Sequence, residues 1–242
     1  MVDLDVNDQE IQNMFGAVTA MLGRVPNSYR TLALSPLVAK MLVPFNATVQ
    51  REGAGSVLSS KLKEMVVIKT SHINQCSYWF AHNTSLGQAA GITDNQVIAI
   101  GTDDYLTSGL FSKREKAAIL WATHVTLNTA KEKNGIFEKV SAEFDEQEIV
   151  ELTLICSFFN FFNRVMDSLQ VPVEKQKEVD KIKNSVHLDP TKVKNYLETT
   201  IENWPLVFPK ANPDWGRNTL SKGIRLNNDK KKRDQKLNLA RK

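Results

Sequence analysis

A carboxylate, a thiol and an imidazole occur close together in residues 64–83. Glu64 precedes Cys76 by twelve residues, and His82 follows Cys76 by six. A thiolate attacks peroxides and disulfides, whereas carboxyl and imidazole groups transfer protons near neutral pH. These residue types therefore predict a reactive site, based either on thiol chemistry or on acid–base chemistry.

Cys76 is predicted to lie in the first turn of a helix. The apolar run at residues 65–68 falls late in one helical segment, and the side chain of Asn74 can cap a second helix that begins just after it. Unpaired N–H groups and the positive end of the helix dipole stabilise a thiolate at such a position. We therefore expect the Cys76 thiol to ionise readily.

Glu64 has two interpretations. It adjoins the apolar run at residues 65–68, where partial desolvation raises the pKa of a carboxyl group and suits it to carrying protons. Alternatively, it forms an ion pair on the helix surface with Lys61 or another nearby lysine. The first interpretation assigns Glu64 to the site, and the second makes it structural.

The two cysteines also have structural interpretations. Cys76 is either a reactive group or a small buried hydrophobic residue. Cys156 lies in an apolar helical stripe and is interpreted as core packing. It is nevertheless the only residue of the chain that could resolve an oxidised Cys76 by forming a disulfide.

The segment resembles the alkylhydroperoxidase D and carboxymuconolactone decarboxylase superfamily. Redox members carry a glutamate and then, twelve residues later, Cys-x-x-Cys-x-x-x-His, and Glu64 and Cys76 have that spacing. The similarity covers roughly residues 10–175, with matching segments at 23–29, 34–38, 89–97, 111–118, 158–164 and 169–171. The resemblance implies an all-α fold, an alkylhydroperoxidase D-like helical bundle, with catalytic Cys76, Glu64 and His82.

Two positions depart from the redox pattern, because Trp79 and Asn83 replace the second cysteine and the histidine. The resemblance implies that this second cysteine reacts with substrate, so a two-cysteine cycle cannot close within the motif. On a helix, position 82 lies about 120° around from position 76, whereas position 83 returns to the same face. We therefore expect Asn83 to face the thiol, and His82 to line the pocket or make a subunit contact. Tyr78 and Trp79 complete the predicted pocket.

The first functional hypothesis is a peroxide-reducing or thiol-exchange oxidoreductase. Cys76 attacks the peroxide oxygen and becomes a sulfenic acid, which an external thiol, a protein reductant or Cys156 then reduces. Glu64 manages the proton. The resemblance implies no bound flavin or haem, so no cofactor is expected.

Two further hypotheses remain open. In an acid–base enzyme acting on a small lactone, Glu64 and His82 carry protons and Cys76 only lines the pocket. In a catalytically inactive oligomeric scaffold, Trp79 fills the former reactive pocket. A buried, unreactive Cys76 thiol favours this last hypothesis over the first.

Composition favours a cytoplasmic protein. Two cysteines in 242 residues do not form a secreted disulfide framework, and the acidic start at residues 1–8 is neither a signal peptide nor a typical transit peptide. No apolar stretch approaches the roughly 20 residues that cross a bilayer. The four histidines are too dispersed to predict a metal site.

Apolar residues recur at helical spacing along most of the chain. Helices are predicted around residues 14–22, after the Ser35-Pro36 start, over 116–127 behind a capping box of Ser112 and Glu115, and over 145–169. Residues 94–110 are predicted to form a short helix and a loop. The long segment 145–169 is so apolar that we expect it to be buried against other helices or another subunit, and a homo-oligomer is expected.

The predicted domain boundary falls near residue 203. The helical domain spans residues 1–203, and residues 204–242 form an extended arm, anchored by Trp204, Phe208 and Trp215, followed by a basic tail. Residues 217–242 contain ten Lys or Arg and two Asp, so this tail carries +8 and the remainder of the +4 chain carries −4. The tail lacks interleaved aromatic residues, and we do not expect specific nucleic-acid binding.

Overall fold

The computed structural model of this protein describes residues 1–206 and residue 208. That part of the chain contains eleven α-helices and no strand, apart from an isolated bridge between Glu52 and His187. The predicted all-α fold is therefore confirmed. The helices are α1 (Gln9–Leu22), α2 (Asn27–Leu32), α3 (Pro36–Gln50), α4 (Ser60–Ile73), α5 (Ser77–Ala89), α6 (Asp94–Gly101), α7 (Lys113–Thr126), α8 (Ile136–Ser141), α9 (Glu146–Ser168), α10 (Gln176–Val179) and α11 (Pro190–Glu202), with 3-10 segments at Asp104–Leu106 and Asp180–Ser185.

The helices with the strongest sequence signals begin where their capping residues predict. Proline occupies the first position of α3, and the predicted capping box of Ser112 and Glu115 starts α7. Asp145 and Glu148 form a second capping box at the start of α9. Each box satisfies backbone N–H groups that a helix start leaves without partners.

Helix α4 lies at the centre of the bundle. It packs against α5, α6, α7 and α9. Its residues from Leu62 to Ser71 are all buried, so polar side chains on this helix have no access to bulk water. This central position determines the environment of Glu64.

Helix α9 is long and apolar enough, by length and composition alone, to cross a membrane. The sequence analysis expected no such segment, and this is the one found in the part of the chain that the structure describes. Leu152, Ile155, Phe159 and Phe162 of α9 are fully buried in the main core, and the helix packs against α4 and α7. Core packing accounts for the buried face of this helix, whereas Val150, Leu154 and Phe161 on it are exposed.

All the helices lie in one compact unit, Met1–Glu202. Of the predicted arm, only residues 204–206 and 208 are described, and the rings of Trp204 and Phe208 lie 6.0 Å apart. Trp215 and the basic tail lie outside the described residues. The predicted division at residue 203 therefore stays a prediction.

Candidate functional site

Cys76 lies in the turn between α4 and α5. Its N–H donates to the Ser71 carbonyl at 3.0 Å, and Gln75 adopts the left-handed region with φ of 56°, which together end α4 in a Schellman motif. Ser77 is the first residue of α5, so Cys76 is its N-cap residue rather than part of the first turn. Asn74 caps the end of α4, whereas the sequence predicted that it would cap the start of α5.

The Cys76 thiol is buried and protonated. Its side chain is 1% exposed, and Sγ lies 3.9 Å from the carbonyl oxygen of Asn163. Burial, reinforced by Asp167, raises the pKa of Cys76 to about 12, and the N–H groups of Trp79 and Tyr78 only partly oppose this. The predicted stabilisation of the thiolate is therefore wrong, because desolvation outweighs the effect of the helix start.

An open groove of about 330 Å³ passes over Cys76. His72 is exposed at this groove, and Cys76 forms part of its floor. We call it the thiol groove; its other lining residues are Ser71, Gln75, Ser77 and Phe80. It gives the thiol a space that a reagent could enter after a small opening.

Cys156 is fully buried and has no disulfide partner. Its Sγ lies 3.3 Å from the Thr70 hydroxyl and 3.5 Å from that of Thr126. Burial raises the pKa of this thiol as well. These contacts agree with the interpretation of Cys156 as core packing.

Glu64 is fully buried in α4. Its Oε1 accepts a hydrogen bond from Gln50 Nε2 at 2.8 Å, and its Oε2 has no partner among the described residues. Burial raises the pKa of Glu64 to about 8, even though Arg51 and Gln50 lower it in part. The predicted rise is therefore confirmed. The alternative pairing with Lys61 is wrong, because Lys61 pairs with Glu115 at 2.8 Å.

Gln50 connects Glu64 to Asn83. Its Nε2 also donates to Asn83 Oδ1 at 2.9 Å, while its Oε1 accepts a hydrogen bond from the Arg51 guanidinium group. The Asn83 amide thus bonds to Gln50, and the Cys76 thiol contacts the Asn163 carbonyl instead. Asn83 was expected to face the thiol. Its amide instead belongs to a buried network with Gln50 and Glu64.

His82 is fixed through both ring nitrogens. Nδ1 lies 2.7 Å from the Tyr78 carbonyl oxygen, and Nε2 lies 3.0 Å from Glu174 Oε2. The Tyr78 ring stacks on the imidazole at 4.4 Å between centroids, which further fixes its orientation.

Glu174 accepts several of the hydrogen bonds in this part of the site. It accepts hydrogen bonds from Arg24 Nη1 (3.1 Å), the Asn27 N–H (2.6 Å) and the Tyr78 hydroxyl (3.2 Å). Burial alone would raise the pKa of Glu174, but the hydrogen bond and charge of His82, together with Asn27 and Arg24, lower it to about 2. Glu174 is therefore a buried carboxylate that holds His82 and Arg24 in place.

A small cavity of about 10 Å³ lies beside His82, with room for about one water molecule. We call it the inner cavity. The Trp79 indole forms one wall, and its ring packs against Phe159 and Phe162 at 5.3 and 5.1 Å between centroids. The other lining residues are Leu22, Arg24, Pro26, Tyr29, Asn46, Gln50, Arg51, His82 and Ile182.

The structure separates the predicted site residues into two groups. Cys76 borders the thiol groove. Trp79 and His82 line the inner cavity. Glu64 and Asn83 are hydrogen-bonded to the lining residue Gln50, and the Tyr78 carbonyl contacts His82. The described residues include no group of three or more His, Cys, Asp or Glu side chains that could hold a metal ion.

Four residues of the site were missed by the sequence analysis: Arg24, Gln50, Arg51 and Glu174. Arg24 and Glu174 are 150 positions apart, so no helical or strand spacing relates them. Gln50 and Arg51 end α3, where polar residues usually face solvent. For Gln50 and Arg51, the one available sequence signal was that this polar pair directly follows an apolar helical pattern.

The comparisons with known proteins agree with this fold. Residues 36–124 match the Carboxymuconolactone decarboxylase family. Over 111 residues the chain is 26% identical to uncharacterized protein YdfG of Bacillus subtilis (strain 168), which covers 46% of this chain and 74% of that protein.

Two solved structures share the fold. A peroxidase-related protein with an alkylhydroperoxidase AhpD core, from Ralstonia eutropha JMP134, has a TM-score of 0.61 at 21% identity, over 75% of this chain and 93% of that one. The debrominase Bmp8 has a TM-score of 0.60 at 20% identity, over 72% and 92%. At these identities the likeness establishes the fold alone.

Proposed function

We propose that this member of the alkylhydroperoxidase D and carboxymuconolactone decarboxylase superfamily is an acid–base enzyme that acts on a small lactone, of which only the carbonyl oxygen enters the inner cavity. The observation that carries the proposal is the arrangement of two proton carriers around one cavity. His82 lines that cavity, and Glu64 lies behind Gln50. The thiol required by the peroxidase hypothesis is protonated and borders a different space.

His82 supplies the acid. Its Nδ1 is engaged by the Tyr78 carbonyl and its Nε2 lies 3.0 Å from Glu174 Oε2, so a substrate oxygen takes the Nε2 proton by replacing Glu174 at that atom. When a carboxylated lactone loses CO₂, the electron pair of the broken C–C bond moves onto the lactone carbonyl as an enolate. The N–H of His82 donates to that oxygen and stabilises its developing negative charge.

Glu64 returns the proton to carbon. With a pKa of about 8 it is mostly protonated at pH 7, and it donates its proton to the enolate carbon through a water molecule, because Gln50 separates it from the cavity. The resulting carboxylate regains a proton from solvent. Arg51 and Gln50 stabilise the charged form between these two steps.

The test is an assay of a panel of small lactones, with and without a carboxyl substituent, for CO₂ release or isomerisation. His82→Asn and Glu64→Gln are each expected to lower kcat by about 100-fold or more, whereas Cys76→Ser retains activity. If no lactone turns over, or if activity depends on Cys76 alone, the proposal fails.

Thiol chemistry at Cys76 is a second candidate, and the thiol groove over this residue is the observation in its favour. The protein is treated with hydrogen peroxide and an organic hydroperoxide, and sulfenic acid at Cys76 is trapped and followed by intact mass beside Cys76→Ser. A pKa of about 12 predicts oxidation no faster than that of an ordinary thiol. Rapid trapping that depends on Cys76 would support this candidate and direct the search to its reductant.

A further inference from the structure

The inner cavity is lined by side chains whose hydrogen-bond donors have no acceptor. Arg24 Nε, Arg24 Nη2 and Trp79 Nε1 are buried donors without partners, and they outnumber the one unpartnered acceptor among the described lining residues, Asn46 Oδ1. The Tyr29 hydroxyl accepts a bond from Asn46 at 3.2 Å, and no acceptor for its own hydrogen lies among the described contacts. Buried donors without acceptors destabilise a fold, so an acceptor is expected in this space.

The orientation of Arg24 suits a carboxylate. Nη1 is bound to Glu174, whereas Nε and Nη2 share the opposite edge of the guanidinium group. That edge presents two parallel N–H groups, which match the two oxygens of a carboxylate. Arg24 is 8% exposed, so such a bond would form in a largely desolvated setting.

The charges around the inner cavity favour an anion over a water molecule. Arg24 and Arg51 are positive, and Glu174 is the neighbouring carboxylate that is fully ionised. Glu64 is mostly neutral at pH 7. The immediate surroundings therefore carry a net positive charge that a single bound anion would reduce.

An open groove of about 420 Å³ shares Arg24 with the inner cavity. We call it the outer groove. Leu4, Phe15 and Val25 give it an apolar wall, and Glu178 and Lys181 form an ion pair at its edge at 2.7 Å. The inner cavity admits little more than one oxygen atom, so the rest of a ligand bound to Arg24 would occupy this groove.

We propose that the inner cavity and the outer groove form one binding site for a small organic carboxylate. Its oxygens accept hydrogen bonds from Arg24 Nε and Nη2 and from the Trp79 indole, and its short apolar body lies in the outer groove. The site depends on these donors and not on the proton carriers Glu64 and His82. Carboxylate binding and the proposed lactone reaction use the same cavity but different side chains, so variants can separate them.

The experiment uses the full chain labelled with ¹⁵N and follows the indole N–H signals during titration with sodium formate, acetate and butyrate. Sodium chloride at equal ionic strength is the reference. We expect a saturable shift of the Trp79 signal, with affinity rising from formate to butyrate as the body fills the outer groove. The Trp121 signal is an internal control, because its N–H already donates to Thr153 at 2.9 Å.

Two variants test the assigned donors. Arg24→Lys keeps the charge and loses the paired N–H edge, so binding should weaken by about tenfold or more. Trp79→Phe keeps a ring and loses one donor, and its binding is measured by calorimetry. Arg164→Gln is the matched control, because Arg164 is exposed on α9 and bonds to Asn160.

Three results would overturn the proposal: no saturable shift at millimolar carboxylate, an equal shift with chloride, or unchanged affinity in Arg24→Lys. Glu64→Gln separates this site from the proposed reaction, because it should still bind carboxylates while failing to turn over a lactone. Loss of lactone activity without loss of carboxylate binding therefore bears on the reaction alone.

Discussion

Burial acts on several titratable side chains of this protein, and in three of them the hydrogen-bond partners decide the outcome. Cys76 and Glu64 are desolvated with few compensating bonds, and their pKa values rise to about 12 and about 8. Glu174 is also desolvated, yet its four partners lower its pKa to about 2. The same helical bundle thus keeps a neutral thiol, a proton-carrying carboxyl group and a charged carboxylate.

Glu174→Gln should destabilise the protein in a pH-dependent manner. The folded-state pKa of about 2 lies below the ordinary value of 4.5, so ionised Glu174 stabilises the fold above pH 4.5, and this contribution is lost as the pH falls towards 2. The shift corresponds to about 3 kcal/mol at neutral pH. Urea unfolding of both proteins between pH 2 and 7 measures it, and parallel pH profiles would contradict it.

Glu64→Gln should have the opposite pH dependence. The folded-state pKa of about 8 lies above 4.5, so wild-type stability from this group is complete below pH 4.5 and is lost as the pH rises through 8. Glutamine stays neutral, so the variant should gain stability relative to wild type over this interval. Thermal unfolding from pH 4 to 9 tests this, and a constant difference in Tm would rule it out.

At the scale of elements, α5 and α9 together form the apolar side of the site. Trp79 of α5 packs against Phe159 and Phe162 of α9. The ring of Phe162 also lies 4.4 Å from that of Phe158. This aromatic cluster fixes the indole that lines the inner cavity.

Phe162→Ala should cost about 3–5 kcal/mol of unfolding free energy, because it leaves a cavity in the core. Phe161→Ala is the matched control on the same helix, since Phe161 is 46% exposed and Phe162 is fully buried. Its expected cost is about 1 kcal/mol or less. Chemical denaturation of the two variants measures the difference, and equal costs would show that α9 is not packed as described.

At the scale of the whole molecule, the predicted homo-oligomer remains a prediction. One face of α3 exposes Val38, Met41 and Phe45, and the Phe45 ring contacts Phe158 of α9 at 4.9 Å, near exposed Phe161. Continuous exposed apolar surface of this kind is typical of a subunit contact. This surface includes part of α9, whose sequence is more apolar than the burial of one face requires.

The double variant Val38→Asp/Met41→Asp should lower the molar mass of the protein in solution, because two charges would be desolvated in a subunit contact. Ile98→Asp is the control, since Ile98 is exposed on α6, which is not one of the helices that form this face. Light scattering after size exclusion gives the masses. A monomeric wild type, or an unchanged mass in the double variant, would contradict the prediction.

The sequence by itself determined the main helices and the buried character of Glu64. Apolar periodicity and capping residues act over a few positions, so α1, α3, α7 and α9 could be predicted from neighbouring residues. The raised pKa of Glu64 followed from its apolar flank in the same way. The superfamily resemblance likewise depended on a local motif, Glu64 and Cys76 at their spacing.

Only the tertiary structure decided which side chains meet. Glu174 reaches His82 and Arg24 across 92 and 150 positions, a relation that no local spacing encodes. The protonation state of Cys76 also depends on the tertiary structure. The helix start favours the thiolate, but packing against α9 desolvates the thiol and keeps it protonated. Local electrostatics follow from sequence neighbours, whereas desolvation depends on everything that the fold brings against a group.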